Sequence, residues 1–234
     1  MRDRTPKLTP EPLSEAVVLE EAARYALLRR LTPAIRHHLV GEFQPIGMIA
    51  AMMERRLQGV TPNLASLRDN SSMLGELSRT AAGKCTDLLS WIAPPKNATT
   101  RLDVGVLDCL NLLSTEFRFR GMVIVNEVGD MPALLPSTAL RSVLTAALIA
   151  LSDQQNGAAD LILQAHKAGK DTELSIVRLG ARRPADNLPT ADYRALSWGD
   201  VAALARAESV GLSRTAEGVR LRFSHASPKP AVTA

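Results

Sequence analysis

Aromatic side chains are scarce in this chain, with four Phe, two Tyr and two Trp among 234 residues. That scarcity removes the stacking platform on which single-stranded nucleic acids are held. The formal net charge of +4 is spread along the chain and not gathered into a basic stripe, so no nucleic-acid partner is expected. Cysteine is scarcer still. Cys85 and Cys109 have no CxxC spacing and no neighbouring histidine, which leaves neither a zinc site nor a disulfide framework. Both read as buried small hydrophobes. No apolar run approaches the roughly 20 residues that span a bilayer. The opening residues, MRDRTPKLTPEPLSEA, lack the apolar centre of a signal peptide, so a cytoplasmic protein without a membrane partner is expected. What remains, 46% hydrophobic and 22% charged residues, is an ordinary globular balance.

Hydrophobic spacing and helix breakers divide the chain. Residues 1–11 are proline-punctuated and carry no periodic pattern, and residues 225–234 are equally unpatterned, so both ends are expected to be disordered. From Leu13 to Leu57 strong helix formers run through Pro33 and Pro45 to the turn GVTPN, which reads as one long kinked helix. A second helix is expected from Leu64 to Ile92, with Leu67, Leu74, Ala81 and Leu88 seven apart, ending at APPKNATT, where two prolines stop it. Residues 12–93 therefore form a helical hairpin, and 94–101 a linker. In residues 102–224 the texture changes to LDVGVLDCLNLLSTEF (helix), MVIVNEV (strand) and STALRSVLTAALIALSDQQ (apolar helix). DLILQAHK and ELSIVRL follow as a hairpin of strands around AGKD. DVAALARAESVG is a short helix with Gly211 as its C-cap, and GVRLRF is a last strand. The predicted fold is α+β, a helical hairpin followed by an α/β sandwich with helices on one face of a sheet.

Two adjacent histidines stand on the first helix. Leu39, Phe43, Ile46, Ala50, Met53 and Leu57 are spaced 4, 3, 4, 3 and 4, a seam for burial against partner helices. A hairpin with seams on both arms cannot bury them alone, so a homodimeric four-helix bundle is expected. At 100° per residue His37 lies roughly 165° from the centre of that seam and His38 roughly 95°. His37 should face solvent. On the same outer face Gly41, Gln44, Met48 and Met52 form a patch with a gap and two flexible apolar side chains, which suits a docking protein. The plainer alternative is that the methionines pack against the chain's own second domain and the histidines are merely solvated.

An outward histidine on a helical hairpin, followed by an α/β sandwich, resembles the dimerisation and phosphotransfer domain plus ATP-binding domain of bacterial sensor histidine kinases over roughly residues 25 to 224. HHLVGEFQPIGMIAAMM, starting at His37, keeps the histidine and leucine of the family's H-box as His37 and Leu39, with Ile46 and Met52-Met53 following. The acid after the histidine is replaced by His38, the arginine by Val40 and the proline by Glu42. In the second half, LRSVLTAALIAL resembles the N-box helix, but Ala146 and Ala150 stand where the family has its metal- and phosphate-holding asparagines. The D-x-G-x-G box is reduced to Gly180 in LGARRPADN, and the glycine-rich lid to LSWGDVAALA.

An alanine offers no oxygen to Mg²⁺, and without the glycines a backbone cannot approach a phosphate. The resemblance is thus to histidine phosphotransferases built on a degenerate kinase scaffold. It implies a phosphorelay protein that exchanges phosphoryl groups with response-regulator receiver domains. His37 would be the phospho-acceptor and His38 an auxiliary, Gly41, Gln44, Met48 and Met52 would dock the receiver, and no cofactor would be needed beyond the receiver's own Mg²⁺. Two other readings stay open on the residues: a non-catalytic pseudokinase scaffold that binds a receiver or a kinase, and an active kinase with unrecognised nucleotide motifs.

Overall fold

The computed structural model describes residues 13–93, 95, 97–153, 158–183 and 194–225. The N-terminal segment 1–11 and all of the tail after His225 lie outside the described residues.

Helix α1, Glu15–Leu57, is unbroken although Pro33 and Pro45 lie inside it. Each proline has no N–H for the carbonyl four residues back, that of Arg29 or Gly41, and a proline in a helix interior costs about 3 kcal/mol. Around Pro33 tertiary packing outweighs that cost, whereas around Pro45 no residue of α1 is buried within one chain. Ala23, Leu27, Leu31 and Ala34, at near-helical spacing, are buried. Helix α2, Leu64–Ile92, begins at Asn63, whose side-chain oxygen accepts a 3.1 Å hydrogen bond from the Ser66 amide. Leu67 and Ala81 are buried along its inner face, and Leu74 and Leu88 are half-buried. The two helices form the expected hairpin.

The rest of the chain builds a five-stranded sheet in the order β2-β4-β5-β7-β6, with β2 Ile124–Glu127, β4 Ala158–Ala168, β5 Asp171–Arg183, β6 Gly211–Arg214 and β7 Gly218–Ser224. Only β2 and β4 are parallel, and the connection between them carries β3 and the apolar helical segment. β4 and β5 form the expected hairpin, Ala168 opposite Asp171, turned by Gly169 at φ +67°. Leu161, Leu163, Leu174, Ile176, Leu221 and Phe223 are buried on the inner face, while Gln164, His166, Arg220 and Arg222 are exposed on the other. This is the two-layer arrangement read from the alternating pattern.

Helices α3, Leu102–Phe119, α5, Thr145–Asp153, and α6, Trp198–Ala207, cover the inner face. A short α4, Ser137–Ala139, and a π turn, Leu140–Leu144, lead directly into α5. Three short strands are absent from the sequence reading. β1, Thr99–Arg101, pairs antiparallel with β3, Leu134–Pro136, and β6 pairs with β7.

Two expectations are corrected. Gly211 is not the cap of α6: it opens β6 opposite Arg222. The helix ends instead in a Schellman turn. Ser209 takes φ +57°, its amide donates to Arg206, and the Val210 amide donates to Ala205 at 2.8 Å. Cys85 is only half-buried on α2, and Cys109 alone lies fully in the core. There, burial pushes its thiol up to about 12.

Candidate functional site

The middle of α1 presents its two histidines to different surroundings. His37 is exposed, with no hydrogen bond or ion pair among the described residues. His38 is half-buried and turned toward the chain's own C-terminal part, its Nε2 atom out of contact with water and without a hydrogen-bond partner. The two rings are 6.1 Å apart between centroids and inclined at 78°, an edge-to-face arrangement. One residue of helix advance, about 100°, is the whole reason for the difference.

His38 lines a cleft of about 470 Å³ between the hairpin and the C-terminal part. Glu42 joins it one turn along α1, Lys84 and Asp87 come from α2, Asp108 from α3 and Arg141 from the π turn. Arg141 spans the cleft: it donates to Ser90 Oγ at 2.6 Å, lies over the Trp91 ring at 5.2 Å and approaches Asp108 at 3.6 Å. Its Nε has no partner. No group of three or more metal-ligating side chains occurs among the described residues.

The expected docking patch lies where the helical phase puts it. Gly41, Gln44, Met48 and Met52 are all exposed, Met48 at 68%. The alternative in which these methionines pack against the chain's own second domain does not describe the structure. The seam on the other side of α1 is only partly covered: Leu39, Ile46 and Met53 are half-buried, while Phe43, Ala50 and Leu57 remain exposed within one chain.

In the segment that resembles an N-box, every residue from Thr145 to Leu151 is buried, Ala146 and Ala150 completely. That stretch of α5 is packed into the core and offers no exposed oxygen for a metal or a phosphate. Gly180 falls within β5, and the residues that follow Arg183 in the expected D-x-G-x-G position lie outside the described residues. The lid-like LSWGDVAALA is the start of α6, closed by a capping box in which Ser197 and Asp200 bond each other's backbone amides.

A buried charge cluster was not anticipated. Arg30 of α1, its side chain 6% exposed, bonds Glu116 of α3 and Asp153 at the end of α5. Its signal was present: Arg30 stands on the same stripe as Ala23, Leu27, Leu31 and Ala34, a charge among residues spaced for burial.

No protein-family model matches the chain, and no curated protein matches it. Solved structures do. The Acinetobacter baumannii histidine kinase AdeS matches 76% of this chain and 96% of its own, at 15% identity and a TM-score of 0.43. A bacterial phosphotransferase matches 92% of this chain and 99% of its own, at 16% identity and 0.41. Histidine kinase ThkA, in its complex with response regulator protein TrrA, matches 92% of this chain and 67% of its own, at 13% identity and 0.35. Such distant likenesses carry no conclusion about activity. No helix among the described residues is long and apolar enough to cross a membrane.

Proposed function

We propose that this chain is a histidine phosphotransfer protein that relays phosphoryl groups to and from receiver domains, with His37 as acceptor and without binding ATP. The observation that carries the reading is the asymmetry of the histidine pair: His37 stands free on an open helix face, next to an exposed Gly41, Gln44, Met48 and Met52, while His38 points into the chain's own cleft. An in-line transfer needs a nitrogen that can come within roughly 3 to 3.5 Å of phosphorus with its lone pair aligned. His37 can offer its ring nitrogens from an open face, whereas His38 Nε2 is out of contact with water in the chain's own cleft, which supports His37 as the acceptor.

In the transfer, a ring nitrogen of neutral His37 attacks the phosphorus of the receiver's aspartyl phosphate. The N–P bond forms as the acyl P–O bond breaks, the aspartate leaves as a carboxylate, and the ring proton on the second nitrogen passes to solvent. The reverse order of bond changes returns the group to another receiver. Mg²⁺ arrives with the receiver, and the buried Ala146 and Ala150 supply no ligand for a second ion. The exposed Phe43, Ala50 and Leu57 are the part of the seam that a second copy would cover, giving the four-helix bundle of a homodimer.

Incubation with phosphorylated receivers tests this reading. His37→Ala abolishes phosphoryl acceptance, whereas His38→Ala, which removes a neighbour at the flank, only slows it. Equal acceptance by both variants, or none by the parent from any receiver, would replace the relay with a non-catalytic scaffold.

A further inference from the structure

The Arg30 cluster joins parts of the chain that are distant in sequence. From α1, Arg30 donates to Asp153 through Nη2 at 3.1 Å and Nε at 3.4 Å, and to Glu116. Arg120, just after α3, closes the ring, bonding Asp153 at 2.8 Å, Glu116 at 3.0 Å and the Ser152 hydroxyl at 2.6 Å. Asp153 is 7% exposed in its side chain, and Glu116 and Arg120 are each 18% exposed. Without α1, the C-terminal part would hold two carboxylates against one guanidinium in a nearly dry place. Arg30 supplies the missing positive charge and brings the cluster to neutrality. Burial alone would lower the affinity of that guanidinium for its proton, and the hydrogen bonds it donates to Asp153 and Glu116, with the negative charge of both, reverse the effect.

Two further ties flank the cluster. Arg24 of α1 donates to Glu208 after α6 at 2.6 Å, and Glu208 also accepts from Thr138 of α4. On the side of α2, Arg141 reaches Ser90 and Trp91. Between the ties, Ala23, Leu27, Leu31 and Ala34 belong to the same continuous core as α3, α5, α6 and the sheet. A swing of the C-terminal part away from the hairpin would break all three ties and uncover that core.

We propose that Glu116, Arg120 and Asp153 form a guanidinium socket for Arg30, which locks the C-terminal part to the first half of α1 as one body and holds the cleft beside His38 at a fixed width. The lock is independent of the phosphotransfer reading, since it concerns only how the two parts of the chain are joined. Loss of Arg30 leaves two carboxylates facing one cation in a buried site, a configuration that is strongly destabilising unless a carboxylate takes up a proton or the charges move back to water.

Distances between spin labels test the proposal on the full chain. Labels at Ala51→Cys and Ser213→Cys, both exposed positions, are introduced in a Cys85→Ser background, with labelled chains diluted into an excess of unlabelled protein. The buried Cys109 thiol stays unlabelled. The parent is expected to give one narrow distance peak, and Arg30→Met a broadened or second peak with helix content retained. In Arg30→Ala, ethylguanidinium is expected to restore the narrow peak, whereas ethylammonium at equal concentration is not. A broad distribution in the parent, or one as narrow in Arg30→Met as in the parent, overturns the lock. Should Arg30→Met fail to fold, recovery of Arg30→Ala by ethylguanidinium alone upholds the socket, and recovery by neither or by both overturns it.

Discussion

Gly218→Ala is the sharpest test of the sheet on which the C-terminal part is built. A Cβ at residue 218 would fall 1.9 Å from the Ile176 carbonyl oxygen, 2.9 Å from its carbon and 3.1 Å from Val177 Cα. All three are backbone atoms of the neighbouring strand β5, so no rotamer change relieves them. Ordinary contact begins near 3.4 Å, which leaves a shortfall of about 1.5 Å that only separation of β5 from β7 can supply. Separation on that scale stretches the hydrogen bond from the Arg178 amide to the Glu217 carbonyl, now 3.0 Å. At about 1 kcal/mol net for that hydrogen bond and about 1 to 3 kcal/mol for overpacking, the expected loss is about 2 to 4 kcal/mol. For a chain of this size that is a fall in Tm of roughly 4 to 16 °C.

Two other glycines calibrate the scale. Gly105→Ala meets only side-chain tips, Leu140 Cδ2 at 2.4 Å and Thr100 Cγ2 at 2.8 Å, which can turn aside, so a loss of about 1 to 2 kcal/mol is expected. Gly47→Ala on α1 meets nothing within 4 Å and should raise stability by about 0.5 to 1 kcal/mol through helix propensity. Thermal and urea melts of the three variants give the order directly. If Gly218→Ala melts with the parent, or above Gly105→Ala, the pairing of β5 with β7 is wrong.

Met48→Asp, on the open face of α1, is expected to weaken receiver binding at least tenfold while shifting stability by no more than about 0.5 kcal/mol; unchanged affinity would remove this patch from the docking surface. Sedimentation at micromolar concentration is expected to find a dimer, and a monomer would leave Phe43, Ala50 and Leu57 without the covering their seam requires. The Asp200 carboxyl is held at about 2: burial would raise it, but hydrogen bonds from Arg194 and Ser197 outweigh that. Because the folded value lies below the unfolded one, its contribution is complete above pH 4 and is lost as pH falls through about 2. Asp200→Asn should therefore flatten the acid limb of the stability curve between pH 4 and 2, and an unchanged limb would show that the capping carboxylate is not what titrates.

Local pattern determined much of this protein. The hairpin arms end at Leu57 and begin at Leu64 because a Gly and Pro turn interrupts two long helix-forming runs, and the β4–β5 hairpin follows from alternation around Gly169. The outward set of His37 and Met48 follows from helical phase, which Pro45 left intact because α1 stays regular through it. Each of these depends on neighbours within one or two turns. Tertiary structure decided the rest. β1 and β3 are three-residue strands that exist only because residues 99–101 meet 134–136, and no stretch of three residues carries a period. The cap of α6 fell to Ser209 because Gly211 was needed in β6 beside Arg222. Arg30 lies 86 and 123 residues from the carboxylates that neutralise it. Along the chain it is a charge on a stripe spaced for burial, with no neighbour to name its partners, and only the fold, by removing water from around Asp153 and Glu116, turns it into the charge that holds two halves together.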